Sequence, residues 1–192
     1  MGDATAARAE SAHFGLGRLR RLAAATVAGY VPHARVLELG VGAGPALPRY
    51  REVFGAREVL ACDPDADLLA RCRPRATAAN AFVWRGRAEA LPLADSSMDA
   101  VFALQVLHHV PDWEAALVEC ARVLRPGGRL YAVESLAPFL GLPPMRWLME
   151  HPTDRFTAER FLEGLSRTGF EPEAARGFPG TTLWVVARRG SG

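Results

Sequence analysis

The stretch Arg35-Val36-Leu37-Glu38-Leu39 is a short, mostly apolar run that ends in glycines at three alternate positions, Gly40, Gly42 and Gly44. An apolar run of this length bounded by glycine reads as a buried strand. A strand covered on both faces needs further strand and helix units around it, and the sequence supplies them in alternation. Helices are expected over about 45–54 and 64–73, with strands at 58–62, 81–84 and 100–104. Asp112 is placed to cap a helix that carries Trp113, Ala116, Leu117, Cys120 and Leu124 on one face. Pro126-Gly127-Gly128 stops that helix, and 129–133 reads as a fifth strand.

Residues 135–152 carry four prolines and read as irregular. A helix follows over 157–168, with Ala158, Phe161, Leu162 and Leu165 as its buried stripe and Gly169 after its end. The last two strands, near 171–176 and 181–187, have no helix between them and are expected to pair as a hairpin at one edge. Right-handed crossovers between the earlier strands make their sheet parallel. The expected fold is α/β: a single-domain, doubly wound, Rossmann-like sheet of seven strands, mostly parallel, with an antiparallel C-terminal hairpin. Its parts divide as an N-terminal helical cap over 1–34, with Leu16, Leu19, Ala23 and Val27 as its stripe, a core over 35–134, a segment over 135–153, and a C-terminal helix and hairpin over 154–192.

Composition narrows the function classes. Hydrophobic residues make up 49% and charged residues 23% of 192 residues, which suits one globular domain that buries its own core. The 23 basic and 21 acidic residues leave a net charge of +2, so net charge gives neither nucleic acid nor an anionic membrane a reason to bind. Every basic residue is Arg, and Lys and Ile are absent, a bias that fits a GC-rich, bacterial genome. Arg71, Arg73 and Arg75 lack interleaved aromatics and read as a solvated helix end. Cys62, Cys72 and Cys120 form neither a CxxC pair nor a zinc-ligand pattern, so no metal site is expected and reduced thiols in the cytoplasm fit best. Arg20-Arg21 precedes the apolar run 22–31; an amphipathic helix is preferred there over an export signal, and ten apolar residues are too few to span a bilayer.

The glycine turn sits where a doubly wound sheet binds ligands, at the carboxyl end of its first strand. A dinucleotide fingerprint would need its third glycine at position 45, which is Pro45. That weakens a nicotinamide-dependent reductase. Asp63 closes the second strand 23 residues after Gly40. A carboxylate there accepts from both hydroxyls of a ribose lying across the turn; the competing reading is an N-cap for the helix beginning at Pro64.

Three further blocks follow: Arg87-Ala88-Glu89-Ala90-Leu91-Pro92-Leu93 with Asp95 and Asp99, then Gln105-Val106-Leu107-His108-His109, then Leu124-Arg125-Pro126-Gly127-Gly128-Arg129-Leu130. In this order and spacing the four blocks resemble the class I S-adenosylmethionine-dependent methyltransferases. More narrowly, they look like the small-molecule subgroup that includes ubiquinone/menaquinone-type C-methyltransferases. The resemblance is close over 35–133. It implies S-adenosylmethionine as cofactor, with Glu38, Gly40, Gly42 and Gly44 around its methionine part and Asp63 on its ribose. It also implies Ala88 and Glu89 beside the adenine, and the backbone of Leu104 and Gln105 near its amino group. One departure is Arg87, where related sequences usually carry an acid; a guanidinium has only donors and cannot accept from the adenine amine.

The activity implied is methyl transfer to a small-molecule acceptor through O, N, S or C, with no catalytic acid or base required. His108 and His109 are candidate bases, though the pair reads more readily as structural, and His151 and Glu134 are weaker candidates of the same kind. His13, Phe14 and Trp147 are expected to line the acceptor side, residues 136–152 forming a substrate lid or, alternatively, an edge or homodimer contact. A non-catalytic relative that binds the cofactor or a protein partner is the rival reading.

Overall fold

The computed structural model describes residues 32–140 and 156–191, together with Arg20. Strand and helix alternate as β1 (Arg35–Leu39), α1 (Arg49–Phe54), β2 (Glu58–Asp63), α2 (Ala66–Ala79), β3 (Ala81–Arg85) and β4 (Met98–Leu104). A 3-10 turn (Leu107–His109), α3 (Trp113–Val123), β5 (Leu124–Ser135) and a short α4 (Ala137–Leu140) follow. The described chain closes with α5 (Ala158–Arg167), β6 (Phe170–Phe178) and β7 (Thr182–Arg189). The strands form one sheet in the order β3-β2-β1-β4-β5-β7-β6. Strands β1 to β5 are parallel, and β7 runs antiparallel to both β5 and β6. The doubly wound sheet with its C-terminal hairpin is therefore present. The chain winds outward from β1 through β2 to β3, then returns to the other side of β1 as β4, and that reversal opens a crevice at the strands' carboxyl ends.

Alternation along the strands assigns each residue to one of two cores. Leu37, Leu39, Val101 and Ala103 face α3 and α5, where Trp113, Leu117 and Phe161 are buried. Val36, Ala61, Phe102 and Tyr131 face α1 and α2, against Tyr50, Phe54 and Cys72. Glu38 falls in register between Ala61 and Phe102, on this second face. It is 3% exposed, a carboxylate within an aromatic core.

Local differences from the sequence reading have physical causes. Helix α1 begins at Arg49, because residues 44–48 form the tail of the glycine turn. Helix α2 runs past Pro74 to Ala79, since its buried stripe of Leu69, Cys72, Ala76 and Ala79 continues beyond the proline. Packing of that stripe outweighs the hydrogen bond that Pro74 removes. The N-cap of α2 is Asp65, which accepts from the amides of Asp67 and Leu68. Asp63 is not that cap. Asp112 does cap α3, through the Ala115 amide, although Val123 rather than Leu124 closes the helix's buried stripe. The N-terminal helix, His13, Phe14, Trp147 and His151 lie outside the described residues, as does most of the 135–153 segment.

Candidate functional site

The carboxyl ends of β1, β2, β4 and β5 are tied together by contacts that the parallel register alone does not supply. The Gly42 amide donates to Asp63 Oδ2 at 2.8 Å, joining the glycine turn to the end of β2. Asp63 Oδ1 accepts from the Asp65 amide at 2.9 Å. A carboxylate offers about four lone-pair sites, so two stay available on a side chain that is 6% exposed. On the outer side, the Gly86 amide donates to the Asp63 carbonyl and so brings in the end of β3.

The three glycines have different tasks. A Cβ on Gly40 would lie 2.3 Å from Val106 Cγ2, and one on Gly44 would lie 2.6 Å from Cys72 Sγ. Both are places where a neighbouring element packs directly on the backbone. A Cβ on Gly42 meets nothing within 4 Å. With its φ of +55°, Gly42 leaves exposed backbone facing open space beside Asp63.

Glu38 stands behind this turn. Its Oε2 is buried without a hydrogen-bond partner, and so is the hydroxyl of Tyr50 on α1. Burial pushes the Glu38 carboxyl up to about 8, and the negative Asp63 adds to the rise. The Tyr50 hydroxyl opposes it, lying close enough to favour the charged form without a hydrogen bond of full geometry. Burial and the facing carboxylate push the Tyr50 hydroxyl well above its ordinary range.

The loop after β3 carries the next residues. Ala88 is buried, and Arg87 forms an ion pair with Glu89 Oε1. The arginine that replaces the expected acid is thus neutralised by the neighbouring acid, which keeps its second oxygen. Arg122 on α3 bolts this loop down, donating to the carbonyls of Leu91 and Leu93 and to Asp95 and Glu119. Glu119 in turn accepts from the Leu91 amide, and its pairing with Arg122 holds its carboxyl below the usual range.

At the end of β4, Gln105 adopts φ +59°, a left-handed conformation that is uncommon outside glycine. Its amide donates to the Val133 carbonyl, and its Oε1 accepts from the Ser135 hydroxyl at 2.7 Å. Leu104 is half-buried beside it. The following turn is organised by Glu134, fully buried on β5, whose carboxylate accepts from the amides of Val106, Leu107 and His108. The same carboxylate lies 2.6 Å from His108 Nδ1. His108 and Glu134, both candidate bases by sequence, are therefore engaged in bracing the β4 turn. His109 is half-buried with its ring 4.2 Å from that of His108. Sequence reasoning missed Tyr50 and Ser135, which act on Glu38 and Gln105 from other elements, and gave no role to Val106, which packs on Gly40 from the block after β4.

This arrangement fits a ligand with a cationic end and a vicinal diol. The unpartnered Glu38 oxygen suits a positive group, Asp63 suits two hydroxyls, and the space over Gly42 admits a close backbone approach. The fold and site define a doubly wound protein whose crevice suits a nucleoside. The model of the methyltransferase domain family matches residues 37–132, half of the chain. The chain belongs to that family, and S-adenosylmethionine is the cofactor that membership brings.

Among curated relatives, the chain is 40% identical over 100 residues to the malonyl-[acyl-carrier protein] O-methyltransferase of Methylococcus capsulatus, covering 52% of this chain and 36% of the relative. It is 32% identical over 130 residues to the ubiquinone/menaquinone biosynthesis C-methyltransferase of a Shewanella species, covering 65% and 52% respectively. The chain thus spans between about a third and a half of these relatives' lengths. An S-adenosylmethionine-dependent methyltransferase from Mesorhizobium loti superposes with a TM-score of 0.72 at 22% identity, over 90% of this chain and 96% of that one. That likeness shows the shared fold.

Proposed function

We propose that the chain binds S-adenosylmethionine at the carboxyl ends of β1, β2 and β4 and transfers its methyl group to a small-molecule acceptor. The observation that carries this reading is the cradle itself: open backbone at Gly42, Asp63 with free lone pairs beside it, and an unpartnered carboxylate at Glu38. Bound there, the cofactor supplies a methyl on a sulfonium, ready for displacement by a nucleophile.

The residues of this chain hold and orient. Asp63 receives the ribose hydroxyls while fastening the glycine turn. Glu38 faces the cationic end. Ala88 packs beside the adenine, and Glu89 keeps one oxygen for its amine while Arg87 occupies the other. The Gln105 amide is engaged by Val133, so what Leu104 and Gln105 offer the cofactor's amino group is carbonyl oxygen, the right polarity for an ammonium. No side chain has to act as a general base. Positioning of nucleophile and methyl accounts for about 7–11 kcal/mol of a barrier when the two are aligned and dry.

The acceptor side is assigned to residues around His13 and Phe14 and to the 136–152 segment with Trp147. The domain parts given above, cap, core, lid and C-terminal hairpin, belong to this reading. A bacterial cytoplasm is the proposed setting: all three cysteines are free and buried, and no described helix is long and apolar enough to cross a membrane.

The test is calorimetric titration of S-adenosylmethionine, followed by transfer of a labelled methyl to a panel of thiols, phenols, amines and activated carbons. Binding that Gly42→Val abolishes in a folded protein is the expected result. Unchanged binding in that variant would refute the placement, and binding without transfer to any acceptor would favour the non-catalytic alternative.

A further inference from the structure

Two carboxylates stand near the carboxyl ends of neighbouring parallel strands, Glu38 one residue before the end of β1 and Asp63 at the end of β2, and the Asp63 charge acts on Glu38. Their surroundings differ. Asp63 has two backbone amides donating to it, one on each oxygen. Glu38 Oε2 makes no hydrogen bond of full geometry, and the side chain is 3% exposed. A carboxyl group buried without a hydrogen-bond donor of full geometry on one oxygen resists ionisation, and the neighbouring Asp63 adds to that resistance. The proton therefore falls on Glu38.

The groups facing Glu38 from the packed elements are few. Tyr50 comes from α1, Asp63 from β2 and Cys72 from α2, while Cys62 of β2 points to the opposite face of the sheet. Strand β4 brings Phe102 into register, which does not titrate. Burial raises both thiols, to about 12 for Cys62 and about 11 for Cys72, so both are neutral. Arg75 on α2 points to the Ala43 carbonyl at the rim of the turn. Among the described residues, Asp63 is the charge that acts on Glu38, and it is negative.

We propose that Glu38 and Tyr50 form a buried proton-holding pair, in which Glu38 carries a proton in the ligand-free protein and releases it to solvent when the cationic end of the cofactor enters. The inference rests on the cofactor reading above. Tyr50 is a positioning residue: its hydroxyl favours the ionised form of Glu38 and so sets the pH at which the pair gives up its proton. Ligand binding is coupled to pH through a residue that takes no part in chemistry.

The experiment is titration calorimetry of S-adenosylmethionine against the wild-type protein and Glu38→Gln, each in buffers of low and high ionisation enthalpy at pH 7. The ligand's own amino group titrates near pH 8 and is already mostly protonated at pH 7, so the quantity read is the difference in proton release between the two proteins. Wild type should release about one proton more than Glu38→Gln, and its affinity relative to that variant should rise by up to about tenfold per pH unit between pH 6 and 8. Methylthioadenosine, which has no cationic end, should bind with no such difference. Tyr50→Phe should move the pH dependence upward.

Equal proton counts in wild type and Glu38→Gln overturn the inference, as does an equal release with methylthioadenosine. An unmoved pH profile in Tyr50→Phe removes Tyr50 from the pair. If S-adenosylmethionine does not bind at all, the cofactor reading itself fails and this inference with it; binding without the proton difference sinks the inference alone. Should Glu38→Gln not fold, the wild-type comparison between S-adenosylmethionine and methylthioadenosine still decides the matter.

Discussion

Asp63 Oδ2 accepts a hydrogen bond from the Gly42 amide at 2.8 Å, so the carboxylate proposed to receive the ribose also fastens the glycine turn. Binding and local architecture share one side chain. Asp63→Ala should weaken S-adenosylmethionine by at least about tenfold, since each hydrogen bond to a charged group is worth about 1.5–3 kcal/mol. It should also lower the stability of the ligand-free protein, because the Gly42 and Asp65 amides lose their acceptor. Calorimetry and thermal melting check the two effects separately, and a purely functional loss with an unchanged melting temperature would contradict the bracing role.

The glycines should separate by experiment. Gly42→Ala places a methyl in open space, leaving only the strain of a positive φ, about 1–2 kcal/mol. Gly40→Ala carries similar strain and also drives a methyl into Val106, so it should melt markedly lower. The expected pattern is a folded Gly42 variant with impaired cofactor binding and a Gly40 variant that is unstable before any ligand is added. Similar melting temperatures for the two would remove the distinction.

Arg122 should report on the loop that carries Ala88 and Glu89. Its guanidinium holds the carbonyls of Leu91 and Leu93 together with Glu119 and Asp95. Arg122→Met keeps the stem but not the donors, and should cost about 2 kcal/mol of stability. Hydrogen exchange should quicken at residues 88–97 before the rest of the sheet is affected, and cofactor affinity should fall with it. Uniform loss of protection across the molecule would mean that the loop is not a separate unit.

A pH dependence unrelated to the site should come from His33. Its Nε2 lies 2.6 Å from the Tyr131 hydroxyl among buried aromatics. Burial, with Arg129 nearby, lowers the imidazole to about 4 against a residual pull from Asp99. Because the folded value lies below the unfolded one of 6.5, the unfolded chain binds more protons between the two. Stability is complete above about pH 6.5 and is lost as the pH falls towards 4, by at most about 3 kcal/mol. His33→Gln, which keeps a polar atom but does not titrate, should flatten that part of the stability curve in denaturant titrations.

Much of the fold was legible because its signals are local. The run Val36–Leu39 with its glycines, the apolar β4, the stripe of α3 and the absence of a helix between β6 and β7 each mark an element within a few residues of sequence. Errors arose where two residues compete for one local role or where packing overrides propensity. Asp63 and Asp65 stand two residues apart, and either is chemically able to cap α2; the direction of the chain leaving β2 gives that task to Asp65. Pro74 is a breaker by propensity, yet the stripe ending at Ala79 carries the helix through it.

The sequence by itself determined the order of elements, the parallel sheet, the position of the crevice and the family, since period, turn residues and motif spacing are properties of short stretches. Only the tertiary structure decided what these residues touch. Glu134, which looked like a base, binds three amides of the β4 turn and faces His108 because β5 runs beside β4. Gly40 and Gly44 are packing contacts while Gly42 is open, because Val106 and Cys72 arrive from distant parts of the chain. Glu38 meets Tyr50 and Asp63 only when α1 folds over the sheet and β2 lies against β1. A buried charge takes its state from such neighbours, and spacing along one chain does not encode them.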